Sequence, residues 1–290
     1  MVSKAKAYKS GLSISVMVLL TLSIWTRPCF AQLKIYVNTD LEGISGVFSF
    51  NQTREKGTPL NIKACEYFMG DVAALVKGLL DGGATEVVIL DGHGNGAVVP
   101  DLMVPGAKYI TGRPRPGAGN LTDLDSSFAG MVMLGFHAMM GTPDGVLNHT
   151  QSSESENRYW YNGVESGEMA QNAAIAGYYG VPPIMVTGDE ATGREAKKFF
   201  GNNIVTVAVK RGVAREAAVL YPFEETRKAI YGGAKRAVAA IHSVRPYILK
   251  TPINVKEQYL NLDPSLPKPA LVTREGIAED ALHIFTWSKK

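Results

Sequence analysis

Leu33-Lys-Ile-Tyr-Val-Asn-Thr-Asp-Leu-Glu-Gly43 decides how the rest of the chain is read. Its first seven residues alternate and are rich in β-formers, which predicts a strand. The strand gives way to two acids one residue apart, Asp40 and Glu42, and to a glycine that lets the chain turn. If extended backbone continues through them, the period of two puts both carboxylates on one side. Two carboxylates held side by side repel unless a cation lies between them. A solvated turn is the plainer reading of such a pair taken alone.

Downstream, helix and strand patterns alternate. Residues 61–80 have helical spacing, with Ala64, Phe68, Val72, Leu75, Val76 and Leu79 on one face and Asp81-Gly-Gly83 as the stop. Strands are predicted at 86–90, 108–111, 130–136, 184–187 and 204–209, and helices at 166–179, from 190 onward and at 224–242. This order predicts an α/β fold over residues 32–245, a three-layer, mostly parallel sheet with helices on both faces. From 246 onward Pro246, Pro252, Pro264, Pro267 and Pro269 break the pattern. Residues 246–290 are therefore expected to form a smaller C-terminal subdomain or interface element.

Residues 1–31 carry Lys4, Lys6 and Lys9, then an apolar run from Leu12 to Trp25, then Cys29-Phe-Ala31 before Gln32. A positive start, an apolar middle shorter than a membrane span and a small-residue exit predict a secretory signal peptide. An uncleaved anchor is the competing reading. Export with one remaining cysteine suits a bacterial periplasm or cell exterior. Taking Lys4, Lys6, Lys9 and Arg27 from the 30 Lys and Arg leaves 26 against 27 Asp and Glu, a net charge of −1. No basic arm remains to argue for nucleic acid or an anionic membrane. Cys65 has no partner once Cys29 is removed, so it is expected to be a buried thiol.

His93, His137 and His149 follow Asp40 in the same half of the chain. His93 lies in Asp91-Gly-His-Gly-Asn95 after the strand at 86–90, with Asp91 placed to hold its imidazole from behind. His137 ends the strand at 130–136, a position that also suits an ordinary core histidine. Glu168 closes Asn162-Gly-Val-Glu-Ser-Gly-Glu168 at the start of a helix, where an acid serves the helix dipole. Glu165, one turn earlier, is expected to share its face. His149 sits in a polar loop, 141–155, of the kind that reaches over a pocket. His242 and His283 have no neighbouring ligands. Nucleophile-elbow and phosphate-loop motifs are both absent. Carboxylates and imidazoles at several strand ends fit a metal site in an α/β enzyme.

Asp40-Leu-Glu-Gly43, Asp91-Gly-His-Gly-Asn95, Gly135-Phe-His-Ala138, Asn148-His-Thr150 and Asn162-Gly-Val-Glu-Ser-Gly-Glu168 together resemble, in order and spacing, the motifs of the DppA-like zinc D-aminopeptidases. The resemblance runs from about Leu33 to His242. It implies two zinc ions per subunit, with Asp40 bridging, Glu42 and His93 completing one ion, and His137 and Glu168 completing the other. It also implies that His149 is the catalytic histidine and that the chain forms homo-oligomers. The implied activity is release of N-terminal D-amino acids from short peptides, by a water that two zinc ions share and acidify. His149 would either donate to the oxyanion or protonate the leaving amine. Asn38 stands where the family often has Ser, and the loop between His137 and His149 is about one residue longer. Competing functions are another metal-dependent amide or phosphoester hydrolase, and a non-catalytic periplasmic peptide-binding protein.

Overall fold

The alternation beginning at Leu33 becomes β1 (Lys34–Thr39) in a computed structural model that describes residues 1–2 and 32–289. The predicted leader, 1–31, lies outside the described residues except for its first two. After β1 come α1 (Pro59–Asp81), β2 (Glu86–Leu90), β3 (Lys108–Ile110), β4 (Gly130–Leu134), β5 (Arg158–Tyr161) and β6 (Val164–Glu165). The chain continues through α2 (Glu168–Tyr178), β7 (Pro183–Asp189), α3 (Glu190–Phe200), β8 (Val205–Ala214), β9 (Ala217–Leu220) and α4 (Phe223–Ala239). It ends with β10 (Ile253–Asn261), β11 (Ala270–Ala278) and β12 (Ser288–Lys289).

Seven strands form the main sheet in the order β3-β2-β1-β4-β7-β8-β9, parallel except for β9. One face, with Ile35, Val37, Ile89, Val132 and Leu134, packs on Phe68, Val72 and Leu75 of α1 and Ile230 and Ala234 of α4. The other, with Tyr36, Val88, Met131 and Met133, packs on Met169 and Ala173 of α2, Ala196 of α3 and Tyr161 and Val255 of a second sheet. Helices cover both faces, as the alternating pattern requires.

α1 begins where Thr58 caps the Asn61 amide and Pro59 occupies the first turn, and it ends at Gly82. β4 stops at Leu134, two residues short of the predicted strand, because Gly135 takes φ +76°. α2 starts at Glu168 rather than at 166, because Ser166 N–H donates to the Tyr159 carbonyl and so closes the β5–β6 hairpin. The second sheet, β12-β11-β10-β5-β6, is antiparallel and joins the tail to that hairpin.

Strand order reverses between β1 and β4: β2 and β3 extend one way, and β7 and β8 the other. The carboxyl ends of strands flanking such a reversal form a crevice where α/β proteins bind ligands. Asp40 follows β1, His93 follows β2 and His137 follows β4.

Candidate metal centre

The β1 and β4 loops touch through their backbones. Asp40 N–H donates to the Leu134 carbonyl at 2.8 Å and Gly43 N–H to the Gly135 carbonyl at 2.7 Å. A Cβ on Gly43 would collide with the Phe136 carbonyl, and one on Gly135 with the Asp40 carbonyl. Only glycine permits this approach, which brings Asp40 beside His137.

Six side chains from five segments meet here. His93 Nδ1 lies 3.0 Å from Asp40 Oδ1 and 3.1 Å from Glu42 Oε2. His137 Nε2 lies 3.3 Å from Asp40 Oδ2 and 3.6 Å from Glu168 Oε1, and His149 Nε2 lies 3.7 Å from that same Glu168 oxygen. The His137 and His149 rings stack at 3.9 Å. Two triads result, Asp40–Glu42–His93 and His137–His149–Glu168, with the ligand atoms of each within 4.8 Å of one another. One carboxylate, Asp40, reaches into both.

The imidazole tautomers follow from their other nitrogens. His137 Nδ1 lies 3.0 Å from the Ala138 carbonyl, and His149 Nδ1 lies 2.8 Å from the Leu147 carbonyl. A carbonyl only accepts, so Nδ1 carries a proton in both rings and Nε2 is the nitrogen that faces the centre, with a lone pair whenever the ring is neutral. His93 is reversed: its Nε2 bonds the Thr53 carbonyl at 3.0 Å and Nδ1 faces the acids.

Burial opposes charge on every group, and the neighbours decide the outcome. Burial raises Asp40, but the His137 and His93 rings beside it outweigh that and hold its carboxyl well below the usual range. Burial lowers His93, yet Glu42 and Asp40 carry it well above an ordinary imidazole. Glu168 and Asp40 likewise overcome burial at His137 and raise it to about 10. Burial leads in raising Glu168 to about 7, and the Asp40 charge adds to it. His149 falls to about 4, because burial and the charge on stacked His137 both disfavour its protonation. The clustered acids thus draw in protons, which the His93 and His137 imidazoles and Glu168 itself hold. Buried His137 Nε2 and Glu42 Oε2 make no well-formed hydrogen bond. Nitrogen and oxygen donors in buried triads fit zinc.

Two sequence expectations fail. Asp91 does not hold His93; its carboxylate accepts from Ala97 and Val98 N–H and from the Thr111 hydroxyl. Glu165 lies on β6 and pairs with Arg158 at 2.9 Å, away from Glu168. His283 pairs with Asp280, and Cys65 is a buried free thiol.

Lys210 escaped sequence reasoning. It is fully buried, and its ammonium donates to the carbonyls of Glu42, Ile44 and Val47. A lysine beside Arg211 in a strand reads as solvent-facing. A register shift opposite Gly188–Asp189 turns it inward, and no residue type announces that shift. All three donors are used, and all three acceptors belong to the loop that presents Glu42. Lys210→Met would strand three carbonyls, each costing about 1–3 kcal/mol. Urea unfolding is expected to show a loss of about 3 kcal/mol or more, and an unchanged midpoint would rule out this clamp.

Other supports carry the distal loop. Asp189 caps α3 through the Thr192 amide at 2.7 Å and also accepts from Val146 N–H at 2.6 Å. Gln151, at φ +65°, donates its N–H to Glu168 Oε1 at 2.7 Å. The strained backbone aims that amide at the site.

Comparisons with known proteins point to one family. A family model described as D-aminopeptidase, of the M55 peptidases, matches residues 33–263. The D-aminopeptidase of Bacillus subtilis (strain 168) is 33% identical over 193 residues, which span 64% of this chain and 66% of that relative. The solved structure titled a Zn-dependent D-aminopeptidase, DppA from Bacillus subtilis, a self-compartmentalizing protease, superposes with a TM-score of 0.78 at 27% identity. That match covers 87% of this chain and 94% of the other. The chain belongs to the M55 family of D-aminopeptidases.

Proposed function

We propose that this protein is an exported aminopeptidase that holds two zinc ions per subunit and removes N-terminal D-residues from short peptides. The observation that carries this reading is the single carboxylate of Asp40, which lies 3.0 Å from the imidazole of one triad and 3.3 Å from that of the other. Glu42 and His93 would hold one ion with Asp40, and His137 and Glu168 the other. Zinc bound in such a pair supplies Lewis acidity and lowers the pKa of coordinated water. Preference for D-residues rests on the family, as does assembly into a homo-oligomer by analogy with the self-compartmentalizing relative. The apolar leader-like run before Gln32 supports export.

His149 is the proton carrier in this reading. Its Nδ1–H is committed to the Leu147 carbonyl, and its pKa is pushed down to about 4. Nε2, which faces Glu168 and the centre, is therefore the position at which this ring exchanges a proton. It first takes a proton from the attacking water and then returns it to the leaving amine nitrogen. Stacking on His137 and the edge of Phe50, 6.1 Å away between ring centres, fix the ring plane.

His149→Ala is expected to keep both zinc ions and to lower kcat by about 10²- to 10⁴-fold; loss of one zinc per chain would make His149 a ligand instead. A substrate panel tests the function itself. Zinc-loaded protein should cleave D-Ala-D-Ala and spare both L-Ala-L-Ala and a phosphate monoester. Faster turnover of the ester, or none of the dipeptide, would overturn the proposal.

A further inference from the structure

Of the six residues at the centre, His93 also lines a cavity of about 630 Å³ between the start of α1 and the loops after β2 and β3. Ile62, Ala97, Val98 and Leu102 give it an apolar wall. Lys56, Arg113 and Arg115 add three cations, and none of the three has a carboxylate within 4 Å among the described residues. Three acids line the cavity too. Asp91 is occupied by two amides and a hydroxyl, Glu66 pairs with Lys63 at 2.6 Å, and Asp101 reaches none of the cations.

The cations are fastened to the loop that carries His93. Arg113 donates to the His93 carbonyl at 3.2 Å. Arg115 donates to the carbonyls of Asp91 and Gly92, while its Nε is buried without a partner. Lys56 donates to the Asn95 carbonyl at 2.8 Å. A guanidinium has five N–H donors and an ammonium three, so most remain unspent. A buried unpaired donor beside two further unpaired cations calls for an anion, and a planar fork suits a carboxylate.

We propose that this cavity binds the free C-terminal carboxylate of the substrate through Arg113 and Arg115, with Lys56 assisting. The inference rests on the aminopeptidase reading above and narrows its substrate class to very short peptides with an unblocked C-terminus. An extended dipeptide spans about 7 Å, two residues at ~3.3–3.6 Å each. His93 belongs to both the centre and the cavity, and the cations are bonded to the main chain of its loop. The apolar wall accepts a small apolar C-terminal side chain. Longer peptides would carry their carboxylate past the guanidinium pair.

The test compares D-Ala-D-Ala with D-Ala-D-Ala-amide on zinc-loaded wild type, Arg113→Gln and Arg115→Gln. Each protein is its own control, because partial misfolding scales both substrates alike; zinc content per chain checks that the His93 loop still holds metal. Wild type is expected to favour the free acid by about tenfold or more in kcat/KM, as a charge-assisted pair requires. The preference should reside in KM and collapse toward unity in both variants, with Arg115→Lys restoring part of it. A wild-type ratio near one, or a ratio unchanged in the variants, would overturn the carboxylate subsite. Failure to cleave either substrate would instead overturn the aminopeptidase reading on which the subsite depends.

Discussion

Asp40→Ala is expected to empty both halves of the centre at once. Its two oxygens face different triads, and among the described residues no other carboxylate lies within 4 Å of an imidazole of each. Removing it leaves Glu42 and His93 on one side and His137, His149 and Glu168 on the other, each short of a shared anion. Metal assistance stabilises transition-state charge by several kcal/mol, so its loss is expected to cost about 10³-fold or more in kcat/KM. His93→Ala should remove zinc from one side and His137→Ala from the other. Glu165→Gln, at a salt bridge with Arg158 outside both triads, should leave zinc and turnover unchanged. Atomic absorption together with dipeptide hydrolysis on this set gives the answer. Wild-type zinc content in Asp40→Ala would show that Asp40 does not bridge.

Stripping the metal is expected to destabilise the fold, and more so at pH 8 than at pH 5.5. Zinc at a thousandfold excess over its Kd adds about 4 kcal/mol per site. One kcal/mol moves the midpoint of a domain this size by about 2–4 °C, so chelation should lower Tm by about 8–16 °C for one site. The pH dependence follows from the protons that replace the metal. Without zinc, Glu168 titrates near 7 when folded against 4.5 as an ordinary carboxyl, and His137 near 10 against 6.5. Between each pair of values the folded chain binds more protons than the unfolded one. The Glu168 contribution is therefore lost as pH rises from about 4.5 to 7, and that of His137 is lost from 6.5 upward. His149, lowered to about 4, acts in the opposite direction up to about pH 6.5, and Lys210, lowered to about 8 by burial, does so above pH 8, so the net loss falls mainly between about pH 6.5 and 8. Zinc displaces these protons, so the holo protein escapes that loss. Differential scanning calorimetry with and without chelator at the two pH values checks this. A gap that narrows toward pH 8 would contradict the proton-for-metal exchange.

The sheet is readable because its signals are local, whereas Asp40, Glu42, His137 and Glu168 each have a plainer reading taken singly, and only the family resemblance groups them with His93 and His149. An apolar strand followed by a polar residue marks a strand end, and α/β order brings strand ends together at one crevice. Asp40, His93 and His137 each stand at such an end. Glu168 was readable as a helix start, although the hairpin before it was not: β5 and β6 are four and two residues long, too short for a period to emerge. Glu165 was misplaced for that reason, since it belongs to a strand and not to the first helical turn. Asp91 was misassigned because nearness in sequence to His93 says nothing about which amides its carboxylate meets. Lys210 was invisible because its burial depends on a register shift against β7, a property of two strands and not of either one. The cations around the cavity are likewise scattered over 56–115, and only folding places them beside His93.

Stepwise zinc return to metal-free protein most directly tests the proposal that Asp40 joins two cations. Activity on D-Ala-D-Ala should be absent at the start and should rise to a plateau at two zinc ions per chain. Full hydrolysis by the stripped protein, or a plateau at one ion, would contradict it.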